Sequence, residues 1–199
     1  MLKLSTFAAL ALTLTGVAHA APMVNQPFVT IGAGQATYKD SCNGYEASCD
    51  DSDSAFRIGA GFNLTPELTV ELTYMDFGDT SISGGDLYYE ESGKASVSSL
   101  ALQVGSAVTI APQVQVFGKI GAAFNKSELS YHYADAFENI NISDDDTNVG
   151  FIMTAGGSYN IMPNLAATAQ IDYLPSAFEF DDTDSLDVYS WSLGLKYQF

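Results

Sequence analysis

The sequence predicts an all-β protein, an eight-stranded antiparallel up-and-down transmembrane β-barrel, on three observations. Long stretches alternate apolar and polar residues with a period of two, the period of a strand whose side chains point to opposite faces. A strand, tight turn, strand element recurs around Pro66, Pro112 and Pro163. Long polar connections fall only between these hairpins, so short turns and long loops alternate along the chain, which puts the proline turns and both termini on one side.

Residues 1–20 carry Lys3, an apolar run over 7–14 and a small-x-small site at Ala18-His19-Ala20. This reads as a secretory signal peptide, leaving 21–199 as one barrel domain. The apolar run is well short of the ~20 residues a membrane-spanning helix needs. No later stretch is long and apolar enough either, so a membrane-embedded mature chain must cross as strands.

Seven Lys and Arg face 24 Asp and Glu, a net charge of −17. Past the leader the cations are Lys39, Arg57, Lys94, Lys119, Lys126 and Lys196. Such a balance excludes nucleic acid, whose phosphates require a basic face, and opposes attraction to anionic headgroups. The acids gather in the connections over 39–54, 78–95, 126–147 and 174–185, as Asp50-Asp51, Glu90-Glu91, Asp144-Asp145-Asp146 and Asp181-Asp182. Export favours a disulfide between Cys42 and Cys49, with Asn43-Gly44 as a turn inside the ring. A ring this small contributes about 2 to 3 kcal/mol in the loop-entropy model. A metal site there lacks a neighbouring His.

The first strand, about 28–38, is glycine-rich and its facing is open. In the first hairpin Phe56, Ile58, Ala60, Phe62 and Leu64, then Leu68, Val70, Leu72 and Tyr74, share the apolar face. The second offers Leu100, Leu102, Val104, Val108 and Ile110, then Val114, Val116, Ile120 and Phe124. The third offers Val149, Phe151, Met153 and Tyr159, then Leu165, Ala167, Ala169, Ile171 and Tyr173. A soluble lipocalin-like barrel has the same period, but its outer face is charged. Here the polar face is mostly Gly, Ala, Ser, Thr and Gln, which suits a narrow, filled lumen. Phe62, Tyr74, Phe77, Phe124, Tyr159, Tyr173, Tyr197 and Phe199 collect near strand ends, as in the interfacial girdles of a membrane barrel.

The last strand, 191–199, alternates Trp191, Leu193, Leu195, Tyr197 and Phe199 with small or polar residues. Its Ser192, Gly194, Tyr197 and Phe199 resemble the C-terminal signature of outer-membrane β-barrels. That resemblance implies that the barrel-assembly machinery reads this strand, which then pairs with the first strand. Glu71-Leu72-Thr73-Tyr74-Met75-Asp76-Phe77-Gly78 resembles the Glu-x-x-Tyr-x-x-x-Gly strand of the outer membrane protein A transmembrane domain and its OmpX and Ail relatives, and Gln170-Ile171-Asp172-Tyr173 resembles strand 7 of that family. The likeness covers essentially the whole mature chain. It implies the cell outer membrane, lipid and lipopolysaccharide as surroundings, and a monomer.

By parity Arg57, Glu71, Lys119, Asp172 and Lys196 face inward, where buried charges must pair, so ion-pair networks are expected. In the outer membrane protein A barrel a strand 3 Glu is thought to exchange between an Arg and a Lys to open a path. Those two positions are Gln170 and Gln103 here, so the gate does not carry over, while Lys119 remains a partner for Glu71. A lipid A-modifying enzyme would need a His-centred acyl-transfer site, and the mature chain holds only His132, in Ser130-Tyr131-His132-Tyr133, which matches neither enzyme motif. The acidic runs lack the spaced pattern of an EF-hand and read as hydrated surface. Tyr88, Tyr89, Tyr131, Tyr133 and Phe137 mark loops able to meet a partner. The expectation is therefore a structural or surface-interaction protein working through acidic extracellular loops, with no cofactor, metal or catalytic residue. A narrow porin-like channel is the alternative.

Overall fold

The computed structural model describes residues 26–39, 48–86, 89–135, 139–180 and 184–199. The expected leader at 1–20, Cys42, Tyr88, Phe137 and Asp181-Asp182 lie outside them, so the Cys42–Cys49 pairing does too. The elements are β1 (Gln26–Tyr38), β2 (Ser48–Asp50), β3 (Ser52–Asn63), β4 (Leu68–Asp86), β5 (Tyr89–Ala111), β6 (Val114–Asp135), β7 (Asn139–Met162), β8 (Leu165–Phe180) and β9 (Asp184–Gln198). β2 is a three-residue piece against β4. The other eight are antiparallel, and their pairing runs round a ring that β9 closes on β1, from Phe28↔Gln198 to Tyr38↔Val188. Closing the ring leaves the wall without an edge, which is what lets strands cross lipid with every backbone group paired.

Each proline turn is short because Pro supplies a preset φ and has no N–H for a ladder. In the β3–β4 turn the Thr65 hydroxyl accepts from the Leu68 and Glu67 amides at 2.9 and 3.2 Å. Outward, every long strand exposes large apolar side chains, such as Ile31, Ile58, Leu72, Leu102, Ile120, Phe151, Ile171 and Leu193. A continuous belt of this kind is stable against lipid and not against water. β1 now has a defined facing: Phe28, Ala36 and Tyr38 point in and Val29 and Ile31 point out.

The inward side chains form two zones. Towards the proline turns lie Arg57, Glu71, Gln103, Thr154 and Asp172, all buried. Towards the other end Tyr38, Met75, Phe77, Val97, Ile152, Leu174 and Val188 pack in one apolar cluster. Phe77, expected in an outer girdle, is therefore misplaced by that expectation: it shares the parity of Glu71, Thr73 and Met75 and is 1% exposed inside the ring. Phe62, Tyr74, Phe124, Tyr159, Tyr197 and Phe199 do face outward.

The connections expected over 78–95 and 126–147 are mostly paired strand. β4 and β5 pair from Asp79↔Ser96 to Asp86↔Tyr89, beyond a register shift between Asp76 and Asp79. β6 and β7 pair from Lys126↔Thr147 to Ala134↔Asn139. Their Ser, Asp, Asn and Gly content gives low strand propensity, yet the neighbouring ladder satisfies the backbone and neither face needs apolar residues in water. β5 and β7 thus reach 23 and 24 residues against 13 in β1, and β4 to β7 rise beyond the barrel wall as a protruding sheet. β8 pairs with β7 only as far as Met153↔Tyr173, which leaves the upper part of β7 an edge. Asp144, Asp145 and Asp146 sit on that edge, exposed, where like charges deter pairing with another chain.

Candidate functional site

Two regions carry the chemistry, the lumen and the protruding sheet. In the lumen, Arg57 Nη1 donates to both oxygens of Asp172, at 3.2 and 3.0 Å. Asp172 also accepts from Thr154 Oγ1 at 2.6 Å, from Gln170 Nε2 at 3.3 and 3.1 Å and from Ser190 Oγ at 3.4 Å. Glu71 Oε2 accepts from Lys119 Nζ at 2.5 Å and Oε1 from Thr30 Oγ1 at 2.7 Å, and Arg57 Nη2 stands 3.8 Å from Oε1. Gln103 Nε2 donates to Thr154 Oγ1 at 2.8 Å. The two glutamines, Gln170 and Gln103, are thus structural links, Gln170 to Asp172 directly and Gln103 through Thr154. All eight long strands, β1 and β3 to β9, bring one network together because every second residue turns inward.

Lys196 does not join it as an ion pair. Its ammonium lies over the Phe28 ring, 3.9 Å from the centroid, because the sheet stagger sets Lys196 opposite Thr30 rather than a carboxylate. Thr30, Thr154 and Ser190 were not singled out from the sequence. Inward parity was the available signal, but parity alone does not say which inward side chains meet across the lumen. Gly59 shows the tightness of the fit: a Cβ there would stand 2.6 Å from Thr30 Oγ1 and 2.7 Å from Glu71 Oε1.

In the closing strand, Ser192 faces inward and is buried, while Tyr197 and Phe199 face outward with their rings edge to face at 5.1 Å. A Cβ on Gly194 would lie 2.3 Å from the Ile31 carbonyl oxygen, so the close approach to β1 itself requires glycine. The Phe199 amide donates to Pro27 O at 3.0 Å, which ties the last residue to the first strand.

On the protruding sheet a groove of about 470 Å³ crosses β4 to β7, lined by Ser81, Ser92, Lys94, Ser130, Tyr131, His132, Asn141 and Ser143 among others. His132 Nδ1 lies 2.6 Å from Asn141 Oδ1. Lys94 pairs with Asp79 at 2.6 Å, and Lys126 with Glu128 at 2.6 Å. The Asp79 hydrogen bond raises the Lys94 pKa, and the Lys126 hydrogen bond lowers that of Glu128. At the rim, backbone N–H donors of Asp79 and Ser54 hold the Asp53 carboxyl below its usual range. Among the described residues no three His, Cys, Asp or Glu side chains converge to hold a metal ion.

The family model described as outer membrane protein beta-barrel domain matches residues 7–199. The Attachment invasion locus protein of Yersinia enterocolitica is 26% identical over 175 residues, 86% of this chain and 84% of that protein. The crystal structure of Ail, the attachment invasion locus protein of Yersinia pestis, in complex with the heparin analogue sucrose octasulfate is 20% identical, with 89% of this chain and 100% of that one covered and a TM-score of 0.56. The outer membrane protein OprG from Pseudomonas aeruginosa is 14% identical, with 90% and 98% covered and a TM-score of 0.57. The solved structures share the fold, and the family match covers nearly the whole chain. An apolar outer belt, a closed ring of eight long strands and this match agree that the chain belongs to the outer membrane protein beta-barrel domain family and resides in the cell outer membrane.

Proposed function

We propose that this chain is a monomeric, non-conducting outer-membrane barrel with a filled lumen, whose protruding sheet and acidic loops form a surface-interaction module outside the cell. The observation that carries this reading is the contrast along the barrel axis. The apolar cluster of Tyr38, Met75, Phe77, Ile152, Leu174 and Val188 packs the interior at the loop end, while β4 to β7 extend past it. Chemistry is put where a partner can reach it, and the interior is given to stability. The proline turns and both termini lie on the periplasmic side in this reading, and the terminal strand, with Ser192, Gly194, Tyr197 and Phe199, is what the assembly machinery reads.

The kind of partner follows from charge. Ail of Yersinia pestis was crystallised with a polysulfated sugar. In this chain the protruding sheet's exposed lysines, Lys94 and Lys126, are both engaged by carboxylates, and Asp144, Asp145 and Asp146 stand beside them. A polyanion would meet repulsion there, so the module suits a neutral or cationic partner, and any lipopolysaccharide contact would run through divalent ions. His132 lies on the sheet with Asn141 as its partner and serves no catalysis in this reading.

Reconstitution in planar bilayers tests the lumen: no reproducible openings are expected, and openings abolished by bulky inward substitutions would establish the narrow channel instead. Replacing residues 82–92 and 132–142 by short turns tests the module. Loss of binding to intact partner cells with normal barrel abundance is expected, and unchanged binding would refute it. The charged cavity at the turn end favours the channel as second reading.

A further inference from the structure

We propose that the turn-end lumen is a binding site for one small monovalent inorganic anion of chloride size, held in the cavity that Arg57, Lys119 and Lys196 share. The cavity has a volume of about 40 Å³, with Phe28, Thr30, Glu71 and Gln170 also on its wall. That is room for roughly two or three waters or one monatomic anion.

The lumenal charges do not balance. Three cations, Arg57, Lys119 and Lys196, face two carboxylates, Glu71 and Asp172. Both carboxylates are already engaged: Asp172 accepts from Arg57, Thr154, Gln170 and Ser190, and Glu71 accepts from Lys119 on one oxygen and Thr30 on the other, with Arg57 3.8 Å away, beyond hydrogen-bond reach. Two donors on the cavity wall are left over. Arg57 Nη2 is buried and has no hydrogen-bond acceptor, on a residue 5% exposed. The Lys196 ammonium meets only the face of Phe28. A buried guanidinium N–H and an ammonium bordering one cavity without an acceptor are costly, and a single anion satisfies both while bringing the lumen to neutrality. Glu71 borders the same space, but its oxygens are turned to Lys119, Thr30 and Arg57. The site is independent of what the protruding sheet binds.

The test uses the full barrel in detergent micelles, with thermal unfolding followed in sodium bromide and in sodium gluconate at equal ionic strength. Gluconate is too large for the cavity. The midpoint is expected to climb by several degrees with rising bromide and not with gluconate, as ligand linkage requires. Lys196→Met is expected to lose that dependence and Lys196→Arg to keep it. Because a Met variant can fail to fold, crystals of the unmodified protein soaked in bromide supply the second measurement, with one anomalous peak in contact with Lys196 Nζ and Arg57 Nη2. Equal midpoints in the two salts, a bromide dependence that survives in Lys196→Met, or a cavity with water density and no anomalous signal would each overturn the proposal.

Discussion

The lumen's turn end and loop end are built from side chains of the same inward parity, yet they are filled by different means. At the turn end Arg57, Glu71, Lys119 and Asp172 interlock through charge, with Thr30, Thr154, Gln170 and Ser190 donating further hydrogen bonds to the two carboxylates. At the loop end Tyr38, Met75, Phe77, Leu174 and Val188 fill space with little chemistry. A charged filling is sensitive to which partner remains, because the survivor is stranded in a poor solvent. An apolar filling is sensitive to volume and indifferent to pairing. The difference predicts opposite responses to double substitution.

The largest effect is expected from Arg57→Met. It strands Asp172 and removes one of Glu71's two cations, so unfolding in lipid vesicles should lose about 3 to 5 kcal/mol. Adding Asp172→Leu should restore most of that loss, since a buried pair replaced by apolar residues is often neutral. If the double variant is as unstable as the sum of the singles, charge pairing is not what holds this half.

At the loop end Phe77→Ala should lose about 3 to 5 kcal/mol, towards the lower part of that range if the cluster collapses into the space. Phe77→Leu should lose under ~1.5 kcal/mol, since volume is largely kept. Here a second truncation nearby, Leu174→Ala, should add to the loss and never rescue it. Rescue would mean that the two halves work alike.

How far these halves could be read from the sequence follows from what period-2 alternation contains. It separates inward from outward residues, and that was enough to place Arg57, Glu71, Lys119, Asp172 and Lys196 in the lumen and Ile58, Leu72, Ile171 and Leu193 on the belt. It does not contain the stagger between distant strands. Hence the Phe28 ring beneath Lys196 and the Thr154 hydroxyl on Asp172 were not legible. Phe77 was misread because aromatic content near a strand end was given more weight than parity. The protruding sheet was hidden for another reason: Ser, Asp and Gly in 78–95 and 126–147 look like loop when strand propensity is taken without the neighbour that completes the ladder.

A smaller effect sharpens the packing side of the contrast within the charged half. Gly59→Ala places a methyl against Thr30, Glu71 and Thr73 side-chain ends. Thr30 and Glu71 can shift only by loosening their hydrogen bonds, so a loss of about 1 to 3 kcal/mol is expected in the same unfolding assay. A variant as stable as the parent would show that the network has slack.

The smallest effect is expected at the rim, where a carboxylate is held by backbone donors in water instead of by buried cations. Asp53 accepts from the Ser54 amide at 2.6 Å and the Asp79 amide at 3.0 Å, and these N–H donors, with a lesser contribution from Lys94, hold its folded pKa below the unfolded value. A depressed pKa means that the charged form is favoured by folding. Its contribution is therefore fully present above the unfolded carboxylate pKa of ~3.9 and is lost as pH falls through the lower folded value. Asp53→Asn keeps an oxygen acceptor and removes only the charge, so the urea midpoint difference between parent and variant should be small at neutral pH and shrink once the pH drops below ~3.9. A difference that stays constant across that window would show that the charge at the rim contributes nothing and that only the hydrogen-bond geometry of Asp53 supports the register shift between Asp76 and Asp79.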